Sequence, residues 1–224
     1  MSDLVNVTRP DGKTCPAYVK QPEGAAKGGV VVIQEWWGLN DQIKKTADRV
    51  AAQGYVAVVP DLYRGKIAKD ADEANHSMQN LDFGDAANQD VRGAIQYLKA
   101  QGVGKVAVMG FCMGGALTIL SAVHVEEVDA GICFYGIPPA EFADPATIEV
   151  PMQLHFATDD DWCNAAAVSA LEAKLKEGGV DHELFRYEGT QHAFMNEARP
   201  EVHDAAAAEL AYERSFAFLG ARIG

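Results

Sequence analysis

Short apolar runs alternate with amphipathic stretches along this chain. Runs rich in valine, isoleucine and aromatic residues occupy positions 30–33, 55–59, 106–109, 132–135 and 152–156, with a weaker copy at 184–187. Continuous β-branched runs of this length are typical of parallel strands that are covered on both faces. The pattern therefore predicts a central sheet whose strands are mostly parallel.

The segments between these runs show the spacing of helices that bury one face. The predicted helices cover positions 40–53, 85–100, 114–120, 164–177 and 204–219. Residues 4–19 precede them as two apolar stretches around a Pro-Asp-Gly turn, which predicts a β-hairpin. Residues 65–83 are polar and weakly periodic, and we expect them to form an excursion over the carboxyl edge of the sheet. The fold class is therefore α/β, with helices on both faces of the sheet.

Composition limits the kind of protein. Of 224 residues, 48% are apolar and 23% are charged, which is ordinary globular usage and predicts one domain spanning residues 1–224. The net charge of −13 argues against nucleic acid or an anionic membrane as the main partner. The four cysteines form no CxxC pair, so neither a disulfide framework nor a zinc site is predicted. With no secretory signal and no membrane-spanning run, we expect a soluble cytoplasmic protein.

The strongest chemical signal lies at residues 110–115, directly after the predicted strand that ends at Met109. The order Gly-Phe-Cys-Met-Gly-Gly has the G-x-nucleophile-x-G form, with Cys112 where serine is usual. Such a turn strains the nucleophile's backbone, and small residues two positions to either side avoid collisions. The start of the following helix favours a thiolate or an oxyanion. A buried structural cysteine beside a glycine-rich helix start is the alternative.

A nucleophile of this kind needs an acid and a histidine, in the chain order nucleophile, acid, histidine. Of six histidines, His192 directly follows the last predicted strand and should face the same sheet edge as Cys112. The acid is expected after the strand at 152–156, where three aspartates occupy 159–161. We assign Asp160 as the residue that orients His192. The three aspartates do not have the alternating spacing of a hard-cation loop, so no metal is predicted.

Glu35 ends the predicted strand at 30–33 and is followed by two tryptophans. A residue in this position should emerge at the same sheet edge as Cys112. From physics alone, a surface carboxylate at a strand end explains Glu35 equally well.

Four motifs in order resemble the dienelactone hydrolase family, which belongs to the α/β-hydrolase superfamily. They lie at residues 34–40, 60–63, 110–115 and 189–194, and the collinear similarity extends from about Asp11 to Leu219. The resemblance implies an α/β-hydrolase fold and a catalytic triad of Cys112, His192 and Asp160. It also implies that Glu35 meets the thiol in the resting enzyme, until a ligand lets the deprotonated sulfur turn toward the substrate. A carboxylate beside a thiol disfavours the thiolate and protects the sulfur from oxidation.

The resemblance further implies an oxyanion hole that is formed by the backbone N–H groups of Met113 and Trp36. Trp36, Trp37, Tyr63 and Phe194 are candidates for the apolar walls of the substrate site. For Trp37 and Tyr63, simple packing of the loop layer is an equally good explanation.

Two positions depart from the family pattern. The founding enzymes bind their substrate's carboxylate with two arginines, and one of them lies four residues after the catalytic histidine, where this chain has Asn196. The other arginine is missing, because none occurs between residues 66 and 91; Arg64, Lys69 and Arg199 are the nearest cations. Asn196 remains a candidate substrate contact, but an amide does not replace a bidentate guanidinium electrostatically. The departures argue against dienelactone itself as the substrate.

A thiolate attacks carbonyl carbon well and also leaves well. Productive substrates therefore need a leaving enolate, phenolate or thiolate. The sequence predicts a carboxymethylenebutenolidase-like hydrolase of small activated esters or lactones, acting through a thiol acyl-enzyme without a cofactor, as a monomer or small homo-oligomer. The alternatives are a catalytically idle scaffold that binds a small molecule or a protein partner, and a thiol redox protein in which Cys133 or Cys163 approaches Cys112.

Overall fold

A computed structural model describes residues 4–224, which form one eight-stranded sheet with helices around it. The strands are β1 (Leu4–Thr8), β2 (Thr14–Lys20), β3 (Gly28–Ile33), β4 (Tyr55–Pro60), β5 (Val106–Phe111), β6 (Ala130–Phe134), β7 (Met152–Asp159) and β8 (His182–Gln191). Their order is β1-β2-β4-β3-β5-β6-β7-β8. The pairs β1–β2 and β2–β4 are antiparallel and the other neighbours are parallel, which confirms the predicted hairpin and mostly parallel sheet. The sequence predicts no secretory signal at the N-terminus, and residues 1–3 of that segment lie outside the described residues.

Each of the five predicted helices is present. The helices are α1 (Asp41–Ala52), α2 (Ala71–Gln79), α3 (Phe83–Asp85), α4 (Arg92–Ala100), α5 (Met113–His124), α6 (Ala165–Glu177) and α7 (Ala205–Arg222). The helix predicted at 85–100 is divided, because a π-helical segment (Ala86–Val91) joins α3 to α4. None of the helices within residues 4–224 combines the length and the apolar character that crossing a membrane requires.

The polar excursion at 65–83 contains a helix that its sequence pattern does not predict. Asp70 caps α2 by accepting a hydrogen bond from a backbone N–H three residues further on. Among the residues of α2 only Ala74 is fully buried, so the helix has no apolar stripe that periodicity could identify. Met78 and Phe83 extend from this segment into the cavity at the carboxyl edge of the sheet, as expected for the excursion.

Alternate residues of β3 enter two separate apolar cores. Val30 and Val32 belong to the core that contains side chains of α1 and α7, whereas Val31 and Ile33 belong to the core that contains those of α4 and α5. Every residue of β3 is buried, as expected for a strand that is covered on both faces. This arrangement confirms an α/β fold with helices on both sides of the sheet.

Three rings stack across neighbouring strands beneath the carboxyl edge of the sheet. Phe111, Phe134 and His155 are paired in register on β5, β6 and β7, with successive ring centroids 4.5 Å apart and nearly parallel planes. Burial lowers the pKa of His155 to about 3, so this imidazole is neutral within the core. Cys112 and Tyr135 directly follow the first two rings, and the stack therefore fixes the strand ends from which both residues emerge.

Buried ion pairs hold the loop that follows β4. Asp90 of the π-helical segment is 2% exposed and pairs with Arg64 at 2.7 Å and with Arg9 at 3.2 Å. The neighbouring Tyr63 donates its hydroxyl hydrogen to the sulfur of Met113 at 3.3 Å. The ion pairs therefore position a loop that packs behind the start of α5.

Candidate active site

Five polar or nucleophilic side chains gather at the carboxyl edge of the sheet, each from a different strand end. Glu35 follows β3, Cys112 follows β5, Tyr135 follows β6, Asp160 follows β7 and His192 follows β8. A cavity of about 370 Å³ lies at this edge and is lined by four of them, with Asp160 behind the wall. Its volume falls in the range of small-molecule sites.

Cys112 occupies a sharp turn between β5 and α5. Its backbone has φ 56° and ψ −117°, a conformation that a residue with a side chain adopts only under constraint. A Cβ atom on Gly110 would collide with the carbonyl oxygen of Gly114, and one on Gly114 would lie 2.5 Å from the carbonyl oxygen of Ile33. Glycine is therefore required on both sides of the cysteine, for the steric reason that the sequence suggested.

Strained backbone is concentrated around this cavity. Within residues 4–224, four non-glycine residues have positive φ, and three of them line the cavity: Cys112, Tyr135 at 37° and Ala193 at 68°. The fourth, Arg64, is held by its ion pair with Asp90. Strain of this kind persists where the surrounding structure imposes it, and it clusters at functional sites.

Asp160 and His192 form a tightly bonded pair. Nδ1 of His192 lies 2.7 Å from Oδ2 of Asp160, and Oδ1 accepts hydrogen bonds from the N–H groups of Trp162 and Cys163 at 2.8 and 2.9 Å. Burial alone would raise the pKa of Asp160, but these hydrogen bonds and the His192 charge outweigh burial and lower it. The aspartate is therefore ionised, and it leaves Nε2 of the imidazole available to the cavity.

The charge on His192 is stabilised from two sides. Burial alone lowers the pKa of His192, but hydrogen bonds and charge interactions with Asp160 and with the sulfur of Cys112 raise it to about 10. The imidazolium form is therefore favoured at neutral pH. A cation beside a sulfur stabilises the thiolate, which is the nucleophilic form of cysteine.

Glu35 is bonded to two donors that do not include the thiol. The hydroxyl of Tyr135 donates to Oε1 at 3.1 Å, and Nδ2 of Asn196 donates to Oε2 at 2.5 Å. Burial raises the pKa of Glu35, whereas both hydrogen bonds and the charge of His192 oppose that rise. No hydrogen bond joins Glu35 to Cys112, so the resting contact that the resemblance implies is not formed in this structure.

Two residues of the cavity wall have a backbone N–H group without a partner among the described residues. Trp36 and Met113 both line the cavity, and no hydrogen bond within residues 4–224 uses either N–H group. For Met113 the cause is its position as the first residue of α5, since the first N–H groups of a helix have no intrahelical acceptor.

The side chains predicted to contact substrate fall into two groups. Trp36 lines the cavity, whereas Trp37, Tyr63, Phe194 and Asn196 do not. Tyr63, Phe194 and Asn196 are 8%, 0% and 1% exposed and pack behind the wall. Trp37 packs edge-on against Trp36, with ring centroids 5.4 Å apart. Tyr63, Phe194 and Asn196 are therefore buried behind the wall, whereas Trp37 is only half-buried.

Other wall residues have no clear signal in the sequence. Trp162 is 67% exposed at the cavity, with its ring centroid 6.1 Å from that of Trp36 and 6.4 Å from that of His192. In the sequence, its position directly after three aspartates was the only feature that could have indicated a place at the site. Arg199 brings a cation into the wall while its Nε donates to Glu201 at 2.8 Å, although it lies three positions after the place where the family pattern has arginine.

One group of side chains has the composition of a metal site. Ligand atoms of Asp160, Cys163 and His192 lie within 4.8 Å of one another. An ion bound there would have to break the hydrogen bond between His192 and Asp160. The four cysteines are free, and burial, with Asp160 nearby, raises the pKa of the Cys163 thiol, which disfavours it as a redox partner of Cys112.

The fold is shared with a solved structure. A dienelactone hydrolase-like promiscuous phosphotriesterase from metagenomic libraries aligns with a TM-score of 0.86, covering 99% of this chain and 98% of that chain at 24% identity. The fold is therefore that of the α/β-hydrolases.

The sequence assigns the family within this fold. Residues 15–223 match the model of the dienelactone hydrolase family, and the chain belongs to that family. It is 34% identical to protein usf of Aquifex pyrophilus over 93% of this chain and 94% of the relative. It is 29% identical to carboxymethylenebutenolidase of Pseudomonas putida over 98% and 96%. The predicted family is confirmed, and the chain is an ester or lactone hydrolase.

We predict that Asp160→Asn shifts the alkaline limb of the activity profile to lower pH. In the wild type, kcat/KM should fall as pH rises through about 10, where His192 loses its proton. Without the aspartate charge this fall should begin about 1–2 units lower. The measurement is kcat/KM for phenyl acetate across pH, followed by acid release and corrected for buffer hydrolysis, because phenoxide gains from protonation as it leaves whereas p-nitrophenoxide does not.

Glu188→Gln is the matched control, because it removes the same charge from an exposed position on β8. Its profile should coincide with that of the wild type. An Asp160→Asn profile with an unchanged alkaline limb would show that this aspartate does not hold the proton on His192.

Proposed function

We propose that this enzyme hydrolyses small activated esters or lactones through an acyl group carried on the sulfur of Cys112. His192 moves the proton and Asp160 orients the imidazole. The observation that carries the proposal is the shared cavity, whose wall includes Cys112 on its strained turn and His192, with Asp160 bonded to Nδ1 of that histidine at 2.7 Å.

Each step of the proposed reaction is assigned to one group. The Cys112 thiolate attacks the carbonyl carbon, and the N–H groups of Trp36 and Met113 donate to the resulting oxyanion. Removal of one such donor typically costs about 3–4 kcal/mol of transition-state stabilisation. The His192 imidazolium gives its proton to the leaving oxygen as the carbon–oxygen bond breaks. Water then attacks the thioester, His192 accepts its proton, and the acid and the thiolate are released.

The choice of nucleophile restricts the leaving group. In the tetrahedral intermediate, the bond that breaks is the one to the better leaving group, and a thiolate leaves more readily than an alkoxide. The intermediate formed from an ordinary alkyl ester therefore expels the thiolate and reverts to the starting ester. Enol lactones, aryl esters and thioesters release a stabilised oxygen or a sulfur and go forward.

The cavity supports a small substrate with an unsaturated or aromatic part. Its volume of about 370 Å³ is near the lower end for small-molecule sites. The rings of Trp36 and Trp162 form one part of the wall, and Arg199 is a cation on another part. Substrates of this size and shape include small lactones and aryl esters of short acids.

We predict that Cys112→Ala lowers the turnover of p-nitrophenyl acetate by about a thousandfold or more, because the acyl carrier is removed. Cys15→Ala is the control, since Cys15 is a buried cysteine on β2 outside the cavity, and this variant should keep its turnover. Circular dichroism checks that both variants are folded. Hydrolysis that persists in folded Cys112→Ala would mean that another residue is the nucleophile.

We also predict that phenyl acetate is hydrolysed at least about a hundredfold faster than ethyl acetate, measured as kcat/KM by acid release at constant pH. The matched variant is Cys112→Ser, whose alkoxide is no better a leaving group than ethoxide. Cys112→Ser should be slower with phenyl acetate but should discriminate less between the two esters. Equal turnover of both esters by the wild type would contradict a thiol acyl-enzyme.

A further inference from the structure

Trp162 is a large apolar side chain that the fold leaves mostly uncovered. It is 67% exposed, and of the large apolar side chains that are exposed within residues 4–224 it is the only one that lines the cavity. Its backbone is nevertheless fixed, because its N–H donates to Oδ1 of Asp160 at 2.8 Å and the next residue, Cys163, is buried. The exposed ring therefore belongs to a well-held turn at the active site and not to a loose loop.

A second ring on the same wall lies at a steep angle to that of Trp162. The centroids of Trp36 and Trp162 are 6.1 Å apart and their planes are inclined by 69°. Trp36 is supported in turn by Trp37, with centroids 5.4 Å apart and planes inclined by 72°. A planar ligand ring between two rings at such an angle can stack on the face of one and meet the edge of the other. Trp36 and Trp162 therefore form an aromatic corner in the cavity wall.

The aromatic corner lies beside the imidazole that is proposed to protonate the leaving oxygen. His192 has two ring neighbours on the cavity wall, Tyr135 at a centroid distance of 5.1 Å and Trp162 at 6.4 Å. Tyr135 is 1% exposed, so of these two rings Trp162 is the one with free surface for a ligand. Nδ1 of the imidazole is bonded to Asp160, which leaves Nε2 for the leaving oxygen. A group attached to that oxygen begins within about 3 Å of Nε2 and has Trp162 as its exposed aromatic neighbour.

We propose that the aromatic corner is the subsite for the leaving group, and that Trp162 makes the enzyme prefer esters and thioesters whose leaving group is an aromatic ring. The inference rests on the proposed function, because it uses the proton transfer from His192 to the leaving oxygen. The contact with Trp162 ends when the leaving group departs, whereas the acyl part stays attached to Cys112. Trp162 therefore acts on the formation of the acyl-enzyme and not on its hydrolysis.

A phenol meets the requirements of both the nucleophile and the aromatic corner. A thiol nucleophile requires a leaving group that is stabilised after the bond breaks, and a phenolate is such a group. A ring placed in the corner also removes apolar surface of Trp162 from water, which favours binding. The aromatic contact and the loss of exposed surface together correspond to about a tenfold gain in kcat/KM. The nucleophile and the wall thus select the same class of substrate.

The test compares three activated esters with the variant Trp162→Ala, which keeps the backbone N–H that donates to Asp160. Phenyl acetate has a ring in its leaving group, vinyl benzoate has one in its acyl group, and vinyl acetate has none. Trp162→Ala should raise KM and lower kcat/KM about tenfold for phenyl acetate with kcat unchanged, and should leave kcat/KM for both vinyl esters within about twofold. Trp162→Phe should restore most of the loss, because it retains a ring.

Phe142→Ala is the matched control, because it removes an exposed aromatic side chain that does not line the cavity. Its kcat/KM should equal that of the wild type with all three esters. An equal loss with the three esters in Trp162→Ala would overturn the proposal, since the residue would then support the triad. A loss confined to vinyl benzoate would also overturn it, since the corner would then bind the acyl part, and so would an unchanged kcat/KM for phenyl acetate.

Binding of the released phenol tests the subsite without turnover. The chain has three tryptophans, so an NMR spectrum of the indole N–H groups should contain three signals, which Trp162→Phe and Trp37→Phe assign. In the Cys112→Ala variant, phenol should shift the Trp162 signal, and cyclohexanol, its saturated analogue, should shift it less. An unmoved Trp162 signal would overturn the subsite. This measurement needs no acyl carrier, so its failure is distinct from failure of the Cys112→Ala turnover test.

Discussion

The strained turn at Cys112 is the constraint on which the site depends. A positive φ at a cysteine is unfavourable, and it persists because strand β5, helix α5 and two glycines leave the chain no other path. The stacked rings of Phe111 and Phe134 anchor the strand ends on either side of the turn. The same turn places Cys112 at the start of α5, directly before Met113, whose N–H has no partner within residues 4–224. Backbone geometry thus brings the proposed nucleophile and one proposed oxyanion donor together.

The site contains two buried carboxylates that have different hydrogen-bond partners. Asp160 contacts Nδ1 of His192 and favours the imidazolium form. An imidazolium beside a sulfur in turn favours a thiolate. Glu35 instead accepts hydrogen bonds from Tyr135 and Asn196, one at each oxygen. The difference between the two carboxylates lies in their partners, because both are buried at the carboxyl edge of one sheet.

Much of this arrangement can be predicted from the sequence, because it follows from local rules. Apolar runs identify the parallel strands, and residues that directly follow them must meet at one edge, as Cys112 and His192 do. Contacts that depend on side-chain packing are not predictable in this way. The capped helix α2 lacks an apolar stripe, and nothing local shows that Asn196 turns toward Glu35 or that Tyr135 joins Glu35 to His192. Aromatic residues such as Phe194 are equally suited to a wall or to the packing behind it, and only the fold decides between them.

In the proposed reaction the acyl group passes through the sulfur of Cys112. The most direct measurement is rapid acid quenching of the enzyme with an aryl ester that deacylates slowly, followed by intact-mass analysis and peptide mapping. We expect a transient mass increase equal to one acyl group, located on the peptide that contains residues 110–115 and reversed by hydroxylamine. An acyl group on any other residue, or turnover with no increase at any time point, would contradict it.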